Sequence, residues 1–95
     1  MKTIRIHDDD NVIIALEAIP AGTTICDDVE GEVHTVTDIP IYHKIAVKDL
    51  PKGTVVLKYG CPIGVATEDI PQGAHVHTHN LDSLDAMVEH VGGAK

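Results

Sequence analysis

At 95 residues the chain has room for one domain around one modest core. Apolar residues make up 43% of it, with two tyrosines and no phenylalanine or tryptophan, so the core has to come from Val, Ile, Leu and Ala. The excess of β-branched residues over Leu favours strands. A formal charge of -8 excludes a nucleic-acid partner, which needs clustered Lys and Arg, and disfavours anionic lipid surfaces. No apolar run reaches the roughly 20 residues of a membrane span, and MKTIRIHDDD has no apolar targeting segment, so a cytoplasmic protein is expected.

In chain order, KTIRIH (2–7) and VIIAL (12–16) read as strands joined by the turn DDDN, with His7 a turn histidine. TTICD (23–27) and EVHTV (32–36) flank the acidic DVEG as a second hairpin, which carries His34. KIAV (44–47), TVVLKY (54–59), IGVA (63–66) and AHVHTH (74–79) read as further strands. In YGCPIG, Gly60, Pro62 and Gly64 suggest a tight, irregular segment that offers backbone amides to a neighbour. The tail looks helical: Leu81, Leu84, Val88 and Val91 recur at three- to four-residue steps, Asp82 and Asp85 suit its start and Gly92-Gly93 its stop. Cys26 and Cys61 are too few for a disulfide framework and read as small buried apolar residues. The expectation is one all-β domain over residues 1–95, made of short twisted strands and hairpins with a short C-terminal helix.

One phrase recurs along the chain: ALEAIPAGTTI from Ala15, AVKDLPKGTVV from Ala46 and ATEDIPQGAHV from Ala66, with a degenerate copy, TDIPIYHKI, from Thr37. In each, an apolar residue enters a turn in which Pro fixes φ and, two positions on, Gly can take φ > 0; the degenerate copy has Tyr42 there. Asp38, Asp49 and Asp69, two residues before Pro, can accept backbone amides and tighten the turn.

The chemistry concentrates in HVHTHN, where His75, His77 and His79 alternate and Asn80 follows. On a pleated strand alternate residues share a face about 7 Å apart, so neighbouring imidazoles can lean onto one metal. Residues four apart, on the order of 13 Å on a straight strand, cannot, unless the chain bends near THN. A site therefore needs two of these histidines and a distant group, for which His43 in IYHK is the best candidate. A lone His-x-His is also common on solvated strand edges. Lys44 and Lys58 are the nearest cations, and Lys44 would suit a carboxylate ligand.

These residues carry a resemblance. KYGCPIGVATEDIPQGAHVHTHN (58–80), preceded by HKIAVKDLPKGTVV, resembles the small N-terminal region of the altronate and galactarate dehydratase family, and IRIHDDDNVIIALEAIPAG is similar to that region's start. The resemblance implies a SAF domain of β-clip fold. It implies part of a lyase that removes the proton α to a sugar-acid carboxylate and expels the β-hydroxyl, using a divalent metal, typically iron (Fe2+). It implies that His43, Lys44, His75, His77 and His79 are metal or substrate contacts; the roles expected are metal ligation by His75, His77 and His79, catalysis by His43 and His77, and substrate contact by Lys44, Tyr59 and Asn80. Tyr42 departs from the family's glycine. The large catalytic region is missing, so the expected partner is a large dehydratase subunit, and homo-oligomers are a further possibility. The similar sulfolactate sulfo-lyase small subunit is the alternative reading, and a non-catalytic carbohydrate-binding or assembly module is another.

Overall fold

The computed structural model describes residues 2–83. The first hairpin forms from β1 (Thr3–Ile4) and β2 (Val12–Ala15), which pair antiparallel with Thr3 opposite Ala15. Further along come β3 (Thr24–Asp27) with β4 (Gly31–His34), β5 (Lys44–Ala46), β6 (Val55–Lys58), β7 (Cys61–Ala66), β8 (His75–Val76) and β9 (Leu81–Ser83). They assemble as a four-stranded sheet in the order β1-β2-β5-β8, the β3–β4 hairpin, and a three-stranded sheet β6-β7-β9, with every pairing antiparallel. The all-β expectation holds among the described residues.

β2 explains why VIIA is apolar throughout: it is covered on both faces. Ile13 and Ala15 pack with Ile25, Val33, Ile45 and Val47 on one side. Val12 and Ala46 pack with Val56, Ala66, Ile70 and Val76 on the other. Branched aliphatic residues fill both clusters, as the composition requires.

The recurrent turns pair two by two. Ile19 and Ile39 exchange backbone hydrogen bonds at 2.9 and 2.7 Å, as do Leu50 and Ile70 at 2.7 and 2.8 Å. The aspartates tighten turns, but those of the paired copy: Asp38 accepts the Ala21 amide, Asp69 that of Lys52 and Asp49 that of Gln72. Each aspartate reaches its partner's turn because the bridge residue beside it is hydrogen-bonded to the equivalent residue there. The position two after Pro has positive φ in all four copies: 84° at Gly22, 91° at Gly53, 88° at Gly73 and 68° at Tyr42. Tyr42 thus holds a backbone state that costs a side chain energy.

Four expectations need correction. Leu81–Ser83 forms β9 against β7 rather than opening a helix, because Gly64 lets the strand approach: a Cβ there would stand 2.3 Å from the Asp82 carbonyl. The rest of the expected helix lies outside the described residues. AHVHTH is a strand for two residues, after which residues 77–80 turn, closed by the Asn80 amide on the His77 carbonyl at 3.1 Å. YGCPIG turns only at Tyr59 and Gly60; Pro62 and Gly64 lie within β7, where an extra residue at Ile63 shifts the register against Val56 and Leu57 of β6. Both cysteines are exposed: Cys26 falls on the outward side of β3's alternation and Cys61 follows the turn into β7.

DDDN is a turn with an inward end. Asp10 is buried and accepts the amides of His7, Tyr59 and Gly60. Tyr59 and Gly60, with φ of 58° and 71°, make the two-residue loop between β6 and β7, a conformation that favours Asn-Gly and that Asp10 here holds for Tyr-Gly. Asn11 completes the dock, donating to the Val55 carbonyl and accepting from the Leu57 amide. Arg5 is buried against Asp27, with bonds of 2.7 to 3.2 Å, and donates to three carbonyls of the first loop. Burial alone would raise the Asp27 carboxyl, but hydrogen bonds from Arg5 and from the Glu30 and Val29 amides outweigh it and hold its pKa below the ordinary value.

Candidate functional site

β5 and β8 bring distant histidines together. Their pairing sets His75 opposite Ile45 and Val76 opposite Lys44, so His75 shares the face that Ile45 presents. His43 precedes β5 on the turn made by Pro40 and Tyr42; its amide bonds the Pro40 carbonyl at 3.1 Å and its carbonyl accepts the Ala15 amide at 2.9 Å. The bend after Val76 swings His77 over the same place. The ring centroids of His43 and His77 lie 4.2 Å apart, those of His43 and His75 5.0 Å, and those of His75 and His77 5.7 Å. The nitrogens His43 Nδ1 and His75 Nε2 stand 2.8 Å apart and share a hydrogen bond.

Asn80 sets this backbone from inside. It is 4% exposed, accepts the His77 amide at 2.9 Å and donates to the His75 carbonyl at 2.8 Å. The side chain expected to contact substrate holds His75 and His77, and it also lines the hollow beside them. Thr37 adds a bond, its hydroxyl accepting the His75 amide at 3.0 Å.

The imidazoles of His75 and His77 are biased toward the neutral form. Burial, and then the neighbouring imidazoles of His43, His79 and His77 with Lys44 last, push His75 down to about 4. Burial also lowers His77, helped by His43, Lys44 and His79. Neutral imidazole is the form that ligates metals. His43, His75 and His77 each offer a nitrogen, and these lie within 4.8 Å of one another. Nitrogens sharing a tetrahedral metal stand roughly 3.3 Å apart, given bonds of about 2.05 Å, so modest ring rotations would suffice. The donor set fits a divalent transition metal. His79 is exposed and outside this group, its ring 5.1 Å from that of His75.

Lys44 adjoins His43 in sequence; alternation sets its strand position with Val76 and Ile14, yet its charge is near enough to lower both His75 and His77. It is half-buried, and burial followed by the nearby charge of Lys58 lowers its pKa. Tyr59 is anchored by Asp10, just before β2, while His43 bonds Ala15 at the far end of that strand. The rise of five residues sets them on the order of 16 Å apart. The Tyr59 and Gly60 amides that might have met a ligand are taken by Asp10. His7 and His34 take part in local bonds, to the Asp9 amide and the Thr24 hydroxyl. A hollow of about 240 Å3 opens beside the cluster, with His75 and His79 in its wall. Glu68 lines it too and is missing from the sequence reading; its place beside Asp69 in the recurrent phrase gave no sign of a role.

Fold and site together define a small all-β domain presenting a packed group of imidazoles beside an open hollow. The chain belongs to the altronate/galactarate dehydratase SAF domain family, whose model matches residues 1–84. It is 46% identical over 90 residues to altronate dehydratase of Escherichia coli K12, covering 90% of this chain and 18% of that protein. It is 37% identical over 83 residues to (2R)-sulfolactate sulfo-lyase subunit alpha of Chromohalobacter salexigens, covering 80% of this chain and 88% of that one. Galactarate dehydratase (L-threo-forming) of Escherichia coli K12 is 37% identical over 75 residues, covering 77% of this chain and 14% of that protein. The chain thus spans less than a fifth of the dehydratases it matches. Among the described residues no helix is long and apolar enough to cross a membrane.

Proposed function

We propose that this chain supplies an imidazole cluster to the active site of a sugar-acid dehydratase, completed by a much larger catalytic chain or domain. The observation that carries this reading is the convergence of His43, His75 and His77 from separate segments onto one point. A divalent metal, iron in the family resemblance, would be held by these three and would supply positive charge to the oxygens of the acid as its α proton leaves. The chain's own part is to keep the His75 and His77 imidazoles neutral by burial and to aim them through the Asn80 bonds and the exposed Thr37 bond. His79, outside the ligand group and exposed, is suited to donate a proton to the β-hydroxyl, which departs as water. An open cluster on so small a domain does not exclude water, so the larger chain has to close it.

The test is to copurify the tagged chain with its partner from its own cells and assay sugar acids for release of a 2-keto-3-deoxy acid. His77→Ala is expected to assemble normally and to lose at least a hundredfold in rate. Full activity of that variant complex would overturn the reading. A second reading, the small chain of a sulfo-lyase, is favoured by the 88% coverage of the sulfolactate sulfo-lyase subunit, and release of sulfite from sulfolactate in the same assay would select it.

A further inference from the structure

The hollow beside the cluster has a chemistry of its own. His75, His79, Thr37 and Asn80 line it with polar groups, and Val36, Ile70, Pro71 and Ala74 give it apolar sides. At about 240 Å3 it is smaller than sites for drug-sized ligands and matches a short carbon chain. Two carboxylates line it, and they differ. Asp69 is engaged, accepting the Lys52 amide. Among the described residues Glu68 has no hydrogen bond or ion pair, and no Lys or Arg lines the hollow. Lys44 acts on His75 and His77 from outside its wall, and Lys58 is on β6.

We propose that this hollow is the subsite for the tail of the substrate, and that Glu68 makes it select a neutral polyhydroxylated tail over a second acid group. This deepens the reading given above and rests on it. A carboxylate accepts hydrogen bonds from hydroxyls and repels a carboxylate or sulfonate. An acid bound head-first at the imidazoles would lay carbons 3 to 6 along the hollow, bringing its far end toward Glu68. A sugar acid with one carboxylate meets a hydrogen-bond acceptor there; a sugar diacid or a sulfo acid meets a like charge. Glu68 is exposed, so solvent screens the repulsion and the preference is moderate, about fivefold.

The experiment uses the full-length chain, 15N-labelled and loaded with equimolar Zn2+, titrated with D-gluconate and with galactarate at matched ionic strength. Gluconate is expected to move the amides of Val36, Glu68, Ala74 and His79 with a Kd about fivefold below that of galactarate. Glu68→Gln should abolish the difference and Glu68→Lys reverse it. Equal or tighter binding of galactarate by the unaltered chain would overturn the proposal. So would imidazole shifts with either acid while the hollow stays still, and this second outcome would leave the metal-cluster reading standing. If neither acid moves the imidazoles or the hollow, the subsite proposal falls, and the dehydratase reading is decided by the assay of the copurified complex.

Discussion

His75 provides the sharpest link between geometry and a bulk measurement. In the fold its pKa is pushed from 6.5 to about 4, by burial first and by its imidazole neighbours second. Between these values the unfolded chain binds a proton there and the folded chain does not. The stabilisation is therefore complete above about pH 6.5, declines as pH falls toward 4, and is gone below that. At 1.36 kcal/mol per pH unit the full difference is about 3.4 kcal/mol. Partial exposure and the share due to other imidazoles reduce it, so a loss of about 1–2 kcal/mol is expected between pH 7.5 and 4.8. Urea unfolding at both pH values would measure it in the unaltered chain and in His75→Gln. The variant should lose about 1–2 kcal/mol less over this interval. Equal losses in both proteins would show that the ring titrates as a solvated side chain and would refute the burial argument.

Asn80→Ala removes two buried bonds and leaves the His77 amide without an acceptor, so it should cost about 2–3 kcal/mol; thermal unfolding should show it as a Tm lower by roughly 10 °C or more. Arg5→Met strands the Asp27 carboxylate in the interior and should cost about 3–5 kcal/mol, whereas Arg5→Met with Asp27→Leu should recover much of that in a denaturant double-mutant cycle. Tyr42 is 70% exposed at a position where three equivalent turns use glycine, so Tyr42→Gly should relieve about 1 kcal/mol and raise Tm by several degrees; an unchanged or lower Tm would mean that the ring makes a compensating contact.

Local patterning carried much of the architecture. Alternation and turn residues foretold both early hairpins, and the Pro-x-Gly phrase foretold positive φ at its glycines, a conformation that Tyr42 turns out to share. What local pattern does not contain is which copy pairs with which, so the aspartates were legible as turn acceptors but not as acceptors for a neighbour's turn. Leu81 satisfies a helical period and a strand equally well, and Gly64, seventeen residues earlier, decides between them. The imidazoles show the same divide. Their alternation pointed to a shared face, yet the cluster comes from the β5–β8 register and from a bend one residue past Val76. The structural part Asn80 plays in holding His75 and His77 was not legible because its burial depends on that bend.

The central claim is that His43, His75 and His77 form one divalent-metal site. Its most direct measurement is the side-chain nitrogen resonances of all seven histidines in the full-length chain during a Zn2+ titration at pH 7.5. The account predicts saturable shifts at one nitrogen each of His43, His75 and His77, with His7 and His34 unmoved. Shifts spread evenly over the histidines, or a saturating set that omits His43, would contradict it.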